Sequence, residues 1–157
     1  MRTLTLFLPT LALVATVGCG PDNRRIPVQP VDGQVIYDGK PAAGVQVYLY
    51  PTNAPMPPAI PANPHAVTGA DGRFKVTTYD ADDGAPEGEY MVILFWPKET
   101  KENEEEEGDS DRFLGWYGPK QSKLKVTVKS GLNSIPAFNL PRVIYAPQAT
   151  PGIPGRN

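Results

Sequence analysis

The stretch VDGQVIYDGKPAAGVQVYLYP, residues 31–51, carries the strand and turn pattern on which the fold prediction rests. Its first part contains a short β-prone run, Gln34–Tyr37, and the dipeptide Asp38-Gly39 that follows is typical of a tight hairpin turn. Its second part alternates apolar Val45, Val47 and Leu49 with the residues between them, a period of two. The stretch therefore predicts two consecutive strands, the second with one face in the core.

Four later segments repeat this strand-like character: 66–79 (AVTGADGRFKVTTY), 88–97 (GEYMVILFWP), 122–131 (SKLKVTVKSG) and 133–140 (NSIPAFNL). The first of them contains two strands on either side of Ala70-Asp71-Gly72. The second is apolar on both faces, which predicts a strand that is buried on both faces or paired at the centre of a sheet. Pro136 in the last lacks an N–H donor and predicts an edge strand or a bulge. With 19 prolines, 15 glycines and no sustained helical period, the chain is expected to form about seven strands in a two-sheet sandwich.

Three motifs occur in a characteristic order: G-x-V-x-Y-x-G-x-P-x-x-G at Gly33–Gly44, D-G-x-F at Asp71–Phe74, and P-x-G-x-Y at Pro86–Tyr90. In this order they resemble the carboxypeptidase regulatory-like domain, which has a transthyretin-like (prealbumin-like) fold and occurs in small bacterial lipoproteins. The resemblance implies an all-β, seven-stranded, two-sheet transthyretin-like or immunoglobulin-like sandwich over residues 31–140. It implies little about activity, because this fold hosts unrelated functions.

The first 17 residues have the build of a secretory signal, with a charged start at Arg2 and an apolar run that ends by Val17. The run is shorter than the ~20 residues that a membrane-spanning helix needs. The segment TVGC, residues 16–19, resembles the lipobox of bacterial lipoproteins, although Thr16 departs from the usual Leu or Val. This resemblance implies that residues 1–18 are removed and that Cys19 is lipidated. The alternative is an ordinary signal peptide, with the cysteine incidental.

A lipidated Cys19 predicts attachment to a membrane of the cell envelope without a spanning segment, through two or three acyl chains. One acyl chain anchors a protein only marginally, whereas two or more hold it stably. Residues 19–30 then form a Pro-rich tether that holds the domain at the periplasmic or external face. In the lipoproteins that this segment resembles, Asp directly after the cysteine favours retention in the inner membrane. Gly20 occupies that position here, so in bacteria with two membranes the outer membrane is favoured.

The charge distribution restricts the class of partner. The net charge is −2, becomes −3 without Arg2, and is accompanied by no basic cluster, so nucleic acid is not expected as a partner. The acidic run KETKENEEEEGDSD, residues 98–111, fits a solvated, self-repelling loop better than a weak Ca²⁺ site or a surface for a basic partner. The segment DADDG, residues 80–84, lacks the spacing of an EF-hand and predicts a turn. No metal is expected.

Catalytic residues are not evident in the sequence. His65, the single histidine, is either a metal ligand or general base, or a solvated loop residue just before a strand. The second interpretation is favoured because the domain contains no cysteine partner for a metal site. A G-x-S-x-G motif is also absent. The sequence therefore predicts a protein that is not an enzyme and has no cofactor.

Aromatic residues late in the chain allow two interpretations. Trp96, Trp116 and Tyr117, with Phe113 nearby, form either a sugar-stacking platform or a cover for the open end of the core. Residues 141–157 have no apolar pattern and are expected to be a disordered, Pro-rich tail. Together these features predict a non-enzymatic, lipid-anchored envelope protein with a structural or adhesive role toward an envelope protein or glycan. The alternative is a ligand-binding module for carbohydrate or Ca²⁺.

Overall fold

A computed structural model of the chain describes residues 25–52, 62–98 and 110–147. These residues form strands joined by turns, without a helix, which confirms the all-β prediction. The strands are β1 (Val28–Gln29), β2 (Val31–Tyr37), β3 (Lys40–Pro41), β4 (Gln46–Pro51), β5 (His65–Val67), β6 (Arg73–Lys75), β7 (Ala85–Pro86), β8 (Gly88–Phe95), β9 (Lys125–Val128), β10 (Asn133–Ser134) and β11 (Phe138–Leu140). The described residues thus contain eleven strands where about seven were predicted, since several are two-residue pairings that leave no periodic signal.

One sheet contains four antiparallel strands in the order β5-β4-β8-β9. β8 lies in its interior, as predicted for GEYMVILFWP, and pairs with β4 along six residues on one side. On its other side Tyr90 of β8 lies opposite Val126 of β9. The alternation in β4 and β9 then sends one set of side chains to the core and leaves Lys125 and Thr127 exposed.

The second sheet is built around β2, which has antiparallel neighbours on one edge and parallel neighbours on the other. β3 and β6 form the antiparallel edge. β10 and β11 form the parallel edge, with Asn133 opposite Val31 and Phe138 opposite Val35. Pro136 separates β10 from β11, which agrees with the prediction of an edge strand or bulge in NSIPAFNL.

The segment AVTGADGRF leads the chain from the first sheet to the second. β5 pairs with β4, β6 pairs with β2, and an isolated bridge between His65 and Thr77 links the two. The turn between them is tight at Gly72, whose φ is +71° and whose N–H to Gly69 O distance is 2.9 Å. A Cβ on Gly72 would lie 2.5 Å from the carbonyl oxygen of Val35, so the motif D-G-x-F requires glycine there.

The core lies between the two sheets, where inward side chains of both form one apolar cluster. Its members include Val31, Val35, Val45, Val47, Leu49, Phe74, Val76, Tyr90, Val92, Leu94, Trp96, Phe113, Val128, Phe138 and Leu140. Full burial of one such side chain contributes about 1.5–3 kcal/mol, so this cluster is the main source of stability. The result is a β-sandwich-like arrangement.

Residues 25–30 belong to the folded unit, although the sequence assigned them to the tether. Arg25 Nη1 lies 2.7 Å from Asp80 Oδ2, and its guanidinium lies 5.1 Å from the centroid of the Tyr79 ring. The N–H of Ile26 donates to Tyr79 Oη at 3.2 Å, and β1 pairs with β7. The predicted signal peptide, Cys19 and the predicted tether up to residue 24 lie outside the described residues.

Residues 141–147 also contact the fold, which differs from the expected disordered tail. The N–H of Val143 donates to Tyr37 Oη at 2.9 Å, and Trp116 Nε1 donates to the carbonyl oxygen of Tyr145 at 2.6 Å. The rest of the predicted tail, residues 148–157, lies outside the described residues. Among the residues that are described, no helix has the length and apolar character to cross a membrane.

Candidate functional site

Three of the aromatic residues named in the sequence, Trp96, Phe113 and Tyr117, contact one another and Tyr37 at the end of the sandwich where β2 and β8 terminate, and Trp116 precedes Tyr117 in the chain. We call this end the aromatic pole, defined by Tyr37, Trp96, Phe113, Trp116 and Tyr117. Ring centroids lie 5.4 Å apart for Tyr37–Trp96 and for Trp96–Phe113, and 5.1 Å apart for Phe113–Tyr117. Edge and tilted contacts at these distances are favourable beyond the burial of area alone. The cluster closes this end of the core.

Asp111 organises the backbone at the aromatic pole. Its Oδ1 accepts hydrogen bonds from the N–H groups of Trp96 at 2.9 Å and Phe113 at 3.0 Å, and its Oδ2 accepts one from Gly115 at 3.0 Å. The Asp111 residue is only 6% exposed. These bonds satisfy backbone donors that a turn would otherwise leave buried and unpaired. They fix DRFLGWYG as a series of turns that inserts Phe113 into the core.

Trp96 is part of the core and is only 8% exposed. Its Nε1 donates to the carbonyl oxygen of Ala43 at 2.8 Å, and the guanidinium of Arg112 lies 3.5 Å from its ring centroid. That distance is a close cation–π contact, so Arg112 covers one face of the indole. The Trp96 ring therefore covers the end of the core, in agreement with the second of the two interpretations, and is not available for a sugar-stacking platform.

Trp116 and Tyr117 are placed differently from Trp96. Trp116 is 42% exposed, and its Nε1 donates to the carbonyl oxygen of Tyr145. Tyr145 and its chain neighbour Ile144 are 76% and 67% exposed. Tyr117 is half-buried, with its ring edge against Phe113; burial, and then nearby Tyr37, raise the pKa of its hydroxyl. We call Trp116, Ile144 and Tyr145 the Trp116 surface. Sequence reasoning missed its last two members because they fall in the assumed tail.

His65 is the first residue of β5, whereas the sequence predicted a loop residue just before a strand. It is exposed, and its Nδ1 lies 2.9 Å from the carbonyl oxygen of Asn63. It borders an open groove of about 600 Å³ that also contains Arg73, Lys75 and Asp82. In residues 25–52, 62–98 and 110–147, no three His, Cys, Asp or Glu side chains are grouped to hold a metal ion.

The segment DADDG forms a turn, as predicted. Asp83 accepts backbone hydrogen bonds from Thr78 at 2.7 Å, Asp80 at 2.9 Å and Tyr79 at 3.0 Å. Burial raises the pKa of the Asp83 carboxyl, but these N–H donors outweigh it and lower the pKa below 3.8. Asp80 pairs with Arg25, and Asp82 Oδ2 lies 3.9 Å from Lys75 Nζ. The Asp83 carboxylate thus fixes the turn, and the Asp80 carboxylate holds Arg25. The Asp82 carboxylate faces Lys75 on β6.

Comparison with known proteins does not assign a family. No protein-family model and no curated protein matches the chain. A 9R-lipoxygenase from Cyanothece PCC8801 is similar at 14% identity and a TM-score of 0.41, over 78% of this chain and 18% of the lipoxygenase chain. A DUF3823 family protein from Parabacteroides merdae ATCC 43184 is similar at 20% identity and a TM-score of 0.36, over 74% and 46% of the respective chains. This chain spans less than half of either structure, and such similarities define neither family nor activity.

Proposed function

We propose that this chain is a non-enzymatic, lipid-anchored protein of the cell envelope, whose β-sandwich serves as a structural or adhesive module. The observation that carries the proposal is the setting of Cys19, the single cysteine, after a charged start and an apolar run. Acylation at Cys19 would attach the protein to the membrane through two or three chains, each methylene contributing about 0.8 kcal/mol. The partner at the other side is an envelope protein or a glycan.

The finer fold assignment, a carboxypeptidase regulatory-like domain of transthyretin-like fold, belongs to the same proposal. Its support is that the motif residues have mechanical roles. Asp38 and Gly39 have φ values of +51° and +73° in the turn that pairs Tyr37 with Lys40. Gly44 has a φ of +75° where the chain enters β4. Left-handed conformations of this kind favour Gly or Asp, which explains the spacing of the first motif.

The anchor is tested by the mass of the N-terminal peptide of the protein purified from its own membranes. We expect a peptide that begins at Cys19 and carries the added mass of two or three acyl chains. The Cys19→Ala variant is the matched control, and it should be recovered without acyl mass and without membrane association. A wild-type N-terminus elsewhere, or an unmodified Cys19, overturns the anchoring proposal.

A second candidate function, carbohydrate binding, is favoured by the exposure of Trp116. An indole that is 42% exposed next to Tyr145 offers a face on which a sugar ring can stack. Isothermal titration of the full chain with envelope glycans separates this function from a purely structural one. Binding heat that disappears in Trp116→Ala supports the carbohydrate function. Titration with Ca²⁺ tests the other ligand class, and a lack of heat with both favours the structural module.

A further inference from the structure

We propose that the end of the sandwich opposite the aromatic pole faces the lipid surface, with Leu132 in contact with the headgroup region. This end, the lipid-facing pole, consists of the N-terminal segment 25–30, the loop 79–84 and the turn 129–132. The inference rests on the proposed anchoring at Cys19. Beyond the anchor, the proposal gives the orientation of the sandwich relative to the membrane. The lipid-facing pole is close to the lipid, and the aromatic pole is presented to partners.

The first support is the length of chain between the anchor and the fold. Six residues, 19–24, precede Arg25, and at 3.3–3.6 Å per residue they span at most about 20 Å. Arg25 itself is held by Asp80, and β1 is paired with β7 immediately afterwards. The anchor therefore cannot move far from the pole at which the fold begins. A tether of residues 19–30 would have allowed about twice that distance.

The second support is the position of this pole relative to the aromatic one. β2 begins next to the N-terminal segment at Val31 and ends at Tyr37 in the aromatic cluster. At about 3.3 Å per residue, the two ends of β2 are ~20 Å apart. The turn 129–132 is at the beginning of β2, since the N–H of Gly131 donates to Gln29 Oε1 at 2.9 Å. The Trp116 surface is thus at the opposite end of the sandwich from the chain that leads to Cys19.

The third support is the chemistry of the turn 129–132. Leu132 is 77% exposed, and the neighbouring Lys129 is exposed as well. Asn133 fixes the turn, because its Oδ1 accepts from the N–H of Lys129 at 2.9 Å and its Nδ2 donates to the carbonyl oxygens of Lys129 and Gly131, both at 2.8 Å. A fixed turn that presents an apolar side chain beside a lysine suits an interface with acyl chains and anionic headgroups.

The fourth support is the distribution of negative charge. The acidic run leaves and rejoins the described fold at Lys98 and Ser110, whose backbone groups form a 2.9 Å hydrogen bond beside Trp96. The two described ends of this stretch, Lys98 and Ser110, which enclose seven acidic residues in the sequence, therefore lie at the aromatic pole and not at the lipid-facing pole. The aspartates of the loop 79–84 have local partners, in Arg25, Lys75 and backbone N–H groups, as described above.

The orientation is tested with the full lipidated chain in vesicles of phosphatidylcholine and phosphatidylglycerol. Leu132→Cys and Tyr145→Cys each introduce one free thiol, since Cys19 carries acyl chains, and both positions are exposed enough to accept an environment-sensitive fluorophore. We expect lipid-borne quenchers to reduce emission from position 132 on the order of twofold, as for groups ~5–10 Å into the interface, and to leave position 145 unchanged. Iodide in the aqueous phase should quench the fluorophore at position 145 more strongly than the one at position 132.

The outcomes separate the orientation from the anchor. If the protein floats with the vesicles but position 145 is quenched as strongly as 132, or neither is quenched, the orientation is overturned and the anchor stands. If the protein does not float and the N-terminal peptide lacks acyl mass, the proposed function is overturned, and the orientation with it. Far-ultraviolet circular dichroism of both labelled variants confirms that neither substitution has unfolded the domain.

Discussion

The carboxylate of Asp111 accepts a 2.9 Å hydrogen bond from the backbone N–H of Trp96, fifteen residues earlier in the chain. Two further N–H groups, of Phe113 and Gly115, bind the same carboxylate. The two ends of the acidic segment are thereby joined, and Phe113 is fully buried in the core directly after the junction. This one side chain thus joins the two described ends of the acidic run to the packing of the sandwich.

Replacing Asp111 by Asn should lower the free energy of unfolding by about 1–3 kcal/mol, since a carboxamide presents an N–H₂ group to backbone donors that need an acceptor. Urea denaturation monitored by tryptophan fluorescence measures the change. Asp82→Asn is the matched control: its carboxylate is 60% exposed and makes only a 3.9 Å ion pair, so its loss should be within about 0.5 kcal/mol. Equal losses for both variants would contradict the role given to Asp111.

The two tryptophans should respond differently to truncation. Trp96→Ala removes a buried indole and should cost about 3–5 kcal/mol of stability. Trp116→Ala removes a half-exposed ring and one hydrogen bond to Tyr145, so its cost should be about 1 kcal/mol. Thermal or urea unfolding measures the loss of unfolding free energy in each variant, and the two losses are then compared. A cost for Trp116→Ala as large as for Trp96→Ala would mean that the Trp116 surface is part of the core.

The sequence predicted those parts of the fold in which the signal is local. Alternation along β4 and β9, the apolar run of β8 and the Asp38-Gly39 turn all depend on neighbouring residues, and all four are confirmed. β1 and β7, in contrast, are two-residue strands whose pairing depends on contacts across more than fifty residues. No periodicity can indicate such strands.

The sequence identified the aromatic residues of the candidate site but left open whether they form a platform or cover the core. The sequence identified Trp96, Trp116 and Tyr117, but burial of Trp96 depends on Arg112 and Ala43, which approach it only in the folded state. The docking of residues 25–30 and 141–147 was missed for the same reason. Both segments are Pro-rich and lack an apolar pattern. Residues 25–30 are attached by the Arg25–Asp80 ion pair and the β1–β7 pairing, and residues 141–147 by hydrogen bonds to Tyr37 and Trp116.

Tyr90 should make stability depend on pH in the alkaline range. Burial, and then nearby Tyr79, raise the pKa of Tyr90 to about 12 from 10.0. The neutral phenol donates to the carbonyl oxygen of Pro86 at 2.8 Å. Because the pKa of Tyr90 is raised in the folded protein, its neutral phenol contributes fully to the free energy of unfolding below pH 10. This contribution is lost as the pH rises through about 12. Denaturation at a series of pH values should show this decline in the wild type and a smaller one in Tyr90→Phe.

Asp83 should have the opposite effect in acid. Burial raises the pKa of its carboxyl, but the N–H donors of Thr78, Asp80 and Tyr79 lower it below 3.8. Because its pKa is lower in the folded protein, the ionised Asp83 carboxylate stabilises the fold above about pH 3.8. This stabilisation is lost as the pH falls through the pKa of Asp83 in the folded protein. Asp83→Asn should therefore be less stable than wild type at pH 6 and should approach it at pH 2. Asp82→Asn, in the same loop, is the control and should show no such convergence.

Gly84→Ala should detach the N-terminal segment from the fold. Gly84 has a φ of +98°, and a Cβ there would lie 1.8 Å from the carbonyl oxygen of Gln29, so β1 must separate from β7. Gly39→Ala is the control: its φ is +73° with open space around it, so it carries only the backbone strain, of order 1–3 kcal/mol.

Exchange of the amide hydrogens of Ile26, Val28 and Gln29 should then be faster in Gly84→Ala than in Gly39→Ala, and trypsin should cleave more readily after Arg25. Release of residues 25–30 doubles the tether from six residues to twelve, so lipid-borne quenching at position 132 should also fall in vesicles. Unchanged protection of these amides would show that β1 is not held by its contact with Gly84. Faster exchange with unchanged quenching would show that tether length does not set the orientation, and that the turn 129–132 binds lipid without it.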